Sequence, residues 1–329
     1  MKPKLVLSRL VALVALTAIL GLTALGWVSS HYGWKIYLEI FSHFQLQYCV
    51  ISLLLLGGLW LTRHKVLSLI GLVCVALLTT QVAIWYLPPV GLSSGRPANL
   101  RILLANINTR NQSYDKVMSL VREEQPDVAV FMEIDQDWAD QLDDLQDLLP
   151  HGFGQLNPDN LGLLVYSKQT LVNPAIEFFG VSGNVSVLGE LTINGQVISL
   201  VATHPLPPAK PSFFHARNRQ LDLISQHIQA VESPVVLVGD LNTTMWSPYY
   251  KKLVHSTGLK NTRRGFGLLP TWPTRGTYHR IPEIVTPFLS IPIDHCLISP
   301  ELQVTDIRTG PDTGSDHRPL IIDLRIGVA

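Results

Sequence analysis

"TGSDHRPLIIDL", residues Thr313 to Leu324, sets Asp316, His317 and Arg318 directly before an apolar run of strand character. Charged residues jammed against a buried strand are either a solvated turn or side chains held rigidly at a pocket rim. Five other stretches bear on the choice. "LRILLANI" (Leu100–Ile107) carries Asn106 at its end, with Asn108 just beyond, and "DVAVFMEI" (Asp127–Ile134) carries Glu133. "QVISLVATH" (Gln196–His204) ends in His204, "PVVLVGD" (Pro234–Asp240) ends in Asp240 with Asn242 following, and "IDHCLIS" (Ile293–Ser299) opens on Asp294 and His295. One Asp or Asn after a strand is ordinarily a turn or cap residue. Glu133 is stranger, because acids are rarely buried and its neighbours "VAVFM" read as buried. Independent turn residues are not expected to supply so coherent a set of carboxylates, amides and imidazoles.

If those strand ends meet on one rim, the cluster suits one chemistry. Magnesium takes hard oxygen ligands, typically one or two carboxylates plus substrate phosphate oxygens, and it activates water while screening charge on an attacked phosphate. The protein then needs a carboxylate to take or orient the water proton, an imidazole for the developing charge, and amides to fix orientation.

Between these strands the sequence alternates patterns. "SYDKVMSLVREEQ" has Val117, Leu120 and Val121 at helical spacing and stops at Pro126. "GLLVYS", "SVLGELTI" and "QVISLVATH" read as strands, the last two joined by Asn194-Gly195, a strong hairpin signal. "FHARNRQLDLISQHIQAV" reads as an amphipathic helix and "SPYYKKLVHST" as a short one, while "RPLIIDLRI" closes the chain as a strand. Helices mixed with strands and a hairpin predict an α/β fold with mixed sheets rather than a purely parallel one.

The succession "LRILLANI", "DVAVFMEI", "ATHP", "GDLN", "IDHCLIS", "GSDHRPL" resembles the endonuclease/exonuclease/phosphatase superfamily, with its DNase I-like fold, over about residues 98–327. The resemblance implies a four-layer α/β/β/α sandwich of two mixed sheets. It also implies hydrolysis of phosphoester bonds, usually with magnesium, manganese being an alternative. Carried over by motif, Glu133 is the principal metal ligand with Asn106 beside it, and Asp316 lies next to the metal or the water. Asp240 orients or deprotonates the attacking water, and Asn242 holds it or a phosphate oxygen. His317 contacts the scissile phosphate, poised by Asp294, and His204 helps bind phosphate. Ala105 stands where an aromatic commonly precedes the Asn, and Met132 where Gln commonly precedes the Glu. The tyrosine of many DNA-directed members has no clear counterpart, which weighs against an abasic-site endonuclease. The Pro- and aromatic-rich stretch Gly267–Pro292 is the expected substrate-specific loop.

The first hundred residues differ in kind. Val11–Val28, Cys49–Leu61 (extendable back to Phe44) and Val66–Leu87 are apolar runs, predicted to be three transmembrane helices, although the second is short enough to be an interfacial helix. A signal peptide explains the first run but not the other two. Lys2, Lys4 and Arg9 precede the first run, and Arg63 and Lys65 lie between the second and third. The positive-inside rule then puts the domain that follows on the outer face of a cytoplasmic membrane, periplasmic or extracellular. The expected organisation is a membrane anchor over 1–87, a linker over 88–99 and a catalytic domain over 100–329. Three cysteines, of which Cys296 alone follows the apolar runs, exclude a disulfide framework or zinc cluster in that domain.

Residues 101–329 hold 18 Lys/Arg against 24 Asp/Glu, a balance of −6, with no evident footprint for densely charged duplex DNA. Lys251, Lys252, Lys260, Arg263 and Arg264 are the exception, a local cluster suited to DNA or to anionic lipid headgroups. The leading expectation is a membrane-anchored metal-dependent phosphoesterase whose substrate (nucleic acid, nucleotide or phospholipid) is small or lipid-borne rather than long duplex DNA. The alternatives are a lipid-directed phosphodiesterase or phosphatase of the same fold, and a catalytically silent, membrane-tethered binding module.

Overall fold

The structure, a computed structural model, describes residues 3–88, 97–278 and 282–327. Most of the expected linker, residues 89–96, lies outside the described residues. Two compact units divide the chain: one is built on the helices up to Leu87 together with the segment Met245–Pro248, and the other holds the remainder.

The first unit consists of α1 (Pro3–Tyr32), the short α2 (Ile36–Glu39) with a 3-10 turn over Ile40–Phe44, α3 (Gln45–Leu61) and α4 (Lys65–Ala83). Val6–Tyr32, Ile36–Leu61 and Lys65–Ala83 are each long and apolar enough to cross a membrane. The short second run of the sequence is thus lengthened, because the helical turns from Ile36 to Phe44 run into α3. The outer surface of this unit is apolar, around a core that holds Leu16, Ile19, Leu56 and Leu59 as well as polar side chains. Gln45, Gln47 and Ser52 are buried, while Leu54 and Leu61 are 73% and 83% exposed. Polar side chains inside and leucines outside suit hydrocarbon as the solvent.

The second unit contains twelve strands among its described residues: β1 (Leu100–Asn106), β2 (Val128–Met132), β3 (His151–Gln155), β4 (Leu163–Ser167), β5 (Val172–Glu177), β6 (Ser186–Ile193), β7 (Gln196–Thr203), β8 (Val235–Asp240), β9 (Lys260–Asn261), β10 (Asp294–Ile298), β11 (Gln303–Thr309) and β12 (Leu320–Arg325). They form two sheets in the orders β11-β12-β1-β2-β4-β3 and β5-β6-β7-β8-β10-β9. Each sheet is mixed, with one parallel pair, β1/β2 or β7/β8, and antiparallel neighbours elsewhere. The parallel pairs need crossovers, which α5 (Tyr114–Glu124) and α7 (Pro211–Gln229) supply. The Asn194-Gly195 turn joins β6 to β7 with both residues at positive φ, 52° and 82°, and Ile193 opposite Gln196.

Strand alternation builds the layers. Ile102, Leu104, Val128, Val130, Val165 and Ile322 pack with Val187, Leu200, Val236, Val238 and Cys296 in the core shared by the two sheets. The intervening residues Leu103, Ala105, Ala129 and Phe131 pack outward against Val117, Leu120 and Val121 of α5 and against Trp138 of α6 (Gln136–Leu142). On the opposite outer face, Gln220 of α7 approaches Ser186 of β6 and Thr203 of β7. The result is the four-layer α/β/β/α sandwich expected from the sequence.

This topology brings the polar strand ends together. The C-terminal ends of β1, β2, β7 and β8 share an edge with the N-terminal ends of β10 and β12, which run antiparallel to β8 and β1. Gly239 is needed there: a Cβ at this position would lie 1.7 Å from the Thr203 carbonyl oxygen, so only glycine lets β7 and β8 close up just before Asp240.

Candidate active site

Glu133 leaves β2 with φ at 61°, a left-handed conformation that is rare without a glycine. Its amide donates to the Gly162 carbonyl at 2.9 Å and its own carbonyl accepts from Thr109 Oγ1 at 2.8 Å, so the bend is fixed from both sides. Asn108 and Asn242 also sit at positive φ, 58° and 50°. Strained positions of this kind concentrate where side chains must be aimed. The bend turns the Glu133 carboxylate to Asn106 at the end of β1, whose Nδ2 donates to Glu133 Oε1 at 2.9 Å and lies 3.4 Å from Asp240 Oδ2.

Asp240 ends β8 opposite Asp294 of β10 in register. Its Oδ1 accepts the Asn242 amide at 2.8 Å, while its Oδ2 lies 3.7 Å from His317 Nε2 and 3.6 Å from His204 Nε2. His317 Nδ1 is 2.9 Å from Asp294 Oδ2. Burial opposes a charge on His317, yet the field and hydrogen bond of Asp294, aided by Asp240 and Asp316, push its pKa up to about 10. Asp294 is also buried, but His317, Thr271 and Arg263 hold its carboxyl below the ordinary range. Asp240 goes the other way: burial and then the repulsion of Asp294 push it well above the ordinary carboxylate value, against the pull of His317. Burial and then the charge of His317 lower His204 to about 4, so it is neutral at pH 7. The site therefore pairs a charged imidazole with a carboxylate poised to accept a proton.

Asp316 has both oxygens engaged, Oδ1 by Asn108 Nδ2 at 2.7 Å and Oδ2 by Trp272 Nε1 at 3.2 Å. Ser315 ties the last motif to the first, donating from Oγ to the Asn106 carbonyl at 2.7 Å and accepting the His317 amide at 3.1 Å. All eight residues singled out in the sequence thus converge on one rim. Asn242 is the partial exception, because its Nδ2 donates to the Pro205 carbonyl at 2.9 Å.

Four contributors escaped the sequence reading of roles: Asn108, Ser315, Thr271 and Trp272. Asn108 and Ser315 stood inside quoted or flanking motifs, so proximity was the available signal. Arg263 corrects an expectation. Assigned by sequence to a basic surface cluster, it is fully buried, with its Nη1 3.2 Å from His295 Nδ1. Lys252 of the same cluster is paired with Asp222 at 2.7 Å.

Asp240, Asp294 and His317 offer ligand atoms within 4.8 Å of one another. A doubly protonated His317 has no lone pair to offer, so a cation at this trio and the charge on His317 exclude each other. Glu133 and Asn106, with Asp316 nearby, bring further oxygen donors to the same rim. Burial raises the pKa of Glu133, and Asp316 and Asp294 raise it further against the hydrogen bond of Asn106 and the charge of His317. Burial and mutual repulsion push Glu133 and Asp240 towards their neutral forms, a strain that a divalent cation relieves, and hard oxygen donors are what such a cation takes.

Comparison with known proteins shows the family and the fold. The sequence profile of the family described as Endonuclease/Exonuclease/phosphatase family matches residues 103–317. Among curated proteins, none matches this chain. The structure of D. rerio TDP2 complexed with single-strand DNA product superposes with a TM-score of 0.57 at 16% identity, covering 69% of this chain and 99% of that one. An endonuclease/exonuclease/phosphatase from Beutenbergia cavernae gives 0.53 at 21% identity, covering 70% and 72%. One from Bacteroides vulgatus gives 0.52 at 18%, covering 69% and 99%.

Proposed function

The chain belongs to the endonuclease/exonuclease/phosphatase family, and from that premise we propose that it is a membrane-anchored, divalent-metal-dependent phosphoesterase. The observation that carries this reading is the meeting of six strand ends at one edge, where a charged His317 faces a proton-accepting Asp240. Glu133 and Asn106 hold the cation, with Asp316 beside them, and their oxygens suit magnesium, or manganese in its place. When bound, that ion acidifies water and screens the phosphate. Asp240 takes the proton of the attacking water, whose oxygen bonds to phosphorus as one ester P–O bond breaks. Asn242 holds the water or a phosphate oxygen. The His317 imidazolium offers its Nε2–H to the oxygen on which charge accumulates, with Asp294 fixing the ring through Nδ1. Neutral His204 donates one further N–H to phosphate. The test is hydrolysis of bis(4-nitrophenyl) phosphate by the full-length chain. Turnover that chelator abolishes and magnesium or manganese restores supports the proposal, and no metal-dependent turnover on any phosphoester leaves a binding module as the better reading.

The relay makes a pH prediction. His317 is charged below its pKa, so activity persists to about pH 10 before its basic limb. Asp294→Asn removes the main support of that charge while burial still opposes it, so the limb moves down towards the ordinary value of 6.5. At pH 8 the variant loses activity by about 10²-fold and regains part of it towards pH 6. An unmoved basic limb would refute the pairing as the source of the charge.

A small or lipid-borne phosphoester fits the domain better than long duplex DNA. Burial of Arg263 and pairing of Lys252 remove part of the one basic run with the makings of a DNA footprint. D. rerio TDP2 with its single-strand DNA product represents the competing nucleic-acid reading. Competitive hydrolysis at physiological salt decides, and a marked preference for duplex DNA over phospholipid and nucleotide diesters would reverse the assignment. The exposed leucines of the helical unit support the membrane anchor. Arg63 and Lys65 between the second and third helices favour an outward-facing catalytic unit. A reporter active only outside the cytoplasm, fused after Pro97, should be active; activity of a cytoplasm-only reporter there would invert the topology.

A further inference from the structure

A groove of about 280 Å³ opens behind the wall that carries Trp272, lined among others by Thr271, Thr274, Arg275, Thr286, Thr309 and Arg318. None of its lining residues is acidic. Arg275 and Arg318 are exposed, and neither has a side-chain hydrogen bond or ion pair among the described residues. Thr286 is 4% exposed, and its hydroxyl likewise has no partner among the described residues. Two guanidinium groups lining one cleft with no acid beside them favour an anion there, and the Thr286 hydroxyl is free to bond to it. A tetrahedral phosphate suits this lining, since it accepts forked hydrogen bonds from arginines and has oxygens left for a hydroxyl.

We propose that the groove formed by Arg275, Arg318 and Thr286 is a second anion site, which binds a phosphate group other than the one being hydrolysed. It lies one extended segment away from the catalytic groups. Thr271 Oγ1 is 3.4 Å from the Asp294 amide, Trp272 Nε1 holds Asp316 Oδ2 at 3.2 Å, and the Arg318 amide donates to the Thr271 carbonyl at 2.9 Å. Thr271, Pro273 and Thr274 line the groove while Trp272 between them bonds to Asp316. An anion there holds the wall that positions two catalytic-site carboxylates. Its source is either free phosphate or a second phosphoryl group on the substrate.

The experiment compares the full-length chain with an Arg275→Gln/Arg318→Gln variant and with the charge-conserving Arg275→Lys/Arg318→Lys. Equilibrium dialysis with radiolabelled inorganic phosphate comes first and needs no turnover, so it stands even if the phosphoesterase reading fails. The Gln variant should bind one equivalent fewer than wild type, and the Lys variant should retain it. The second arm rests on the phosphoesterase reading. If the source is the substrate, kcat/KM for a diester carrying a second phosphate falls about tenfold in the Gln variant, with bis(4-nitrophenyl) phosphate unaffected. If the source is free phosphate, added phosphate changes the wild-type rate on bis(4-nitrophenyl) phosphate and does not change that of the Gln variant. Equal phosphate stoichiometry in wild type and the Gln variant would overturn the site.

Discussion

Asp240→Asn should lower kcat on bis(4-nitrophenyl) phosphate by about 10³-fold while leaving KM within about twofold. Asparagine has the same shape and keeps an oxygen for the Asn242 amide, now held at 2.8 Å by Asp240 Oδ1. The turn after β8 therefore survives. What disappears is the carboxylate facing both His317 and His204, whose pKa burial and Asp294 have already raised well above its ordinary value. Loss confined to kcat is the signature of an interaction made in the transition state alone. Circular dichroism should match wild type, so the loss cannot be charged to unfolding. A kcat within tenfold of wild type would remove Asp240 from proton transfer and shift that role to His204 or Glu133.

The outcome of the sequence reading shows where such a reading has purchase. Core strands were legible because burial on both faces leaves continuous apolar runs, as in "PVVLVGD" and "RPLIIDLRI". The strands without an apolar signature in the sequence, β3, β5, β9 and β11, lie largely exposed or half-buried at sheet edges, where solvent imposes no apolar pattern. Helix α6 was missed although Asp135 caps it, with Oδ1 accepting the Trp138 amide at 3.0 Å, because seven residues are too few to establish a helical period. The candidate site was legible for a related reason: a polar residue ending an apolar strand breaks a strong local pattern and is conspicuous. Thr271 and Trp272 lie in a stretch with no period at all, so only the fold reveals that they hold Asp294 and Asp316. Arg263 shows the opposite failure. Charge next to charge in sequence read as a surface patch, but one residue of the run turns inward, and its buried guanidinium helps keep Asp294 ionised.

Glu133→Gln tests the cation assignment itself. Activity should fall by about 10³-fold, and the concentration of magnesium needed for half-maximal rate should rise with it, because the substitution removes the main anionic ligand without changing the side chain's length. Glutamine still offers an oxygen to Asn106 Nδ2, which now donates to Glu133 Oε1 at 2.9 Å, so the bend at φ 61° is kept. Burial raises the pKa of Glu133, and Asp316 and Asp294 raise it further, so a carboxylate here is uncomfortable until a cation joins it. Removing its charge relieves that repulsion, and the variant without metal should be at least as stable as wild type in thermal melts. A residue serving only the fold would give the reverse, lower stability with unchanged metal affinity. Binding of manganese, followed by electron paramagnetic resonance or calorimetry on the full-length chain, supplies a readout independent of turnover. Retained manganese affinity in Glu133→Gln would move the cation away from Glu133 and towards the Asp240–Asp294 pair, and with it the case for His317 as a charged donor would fall.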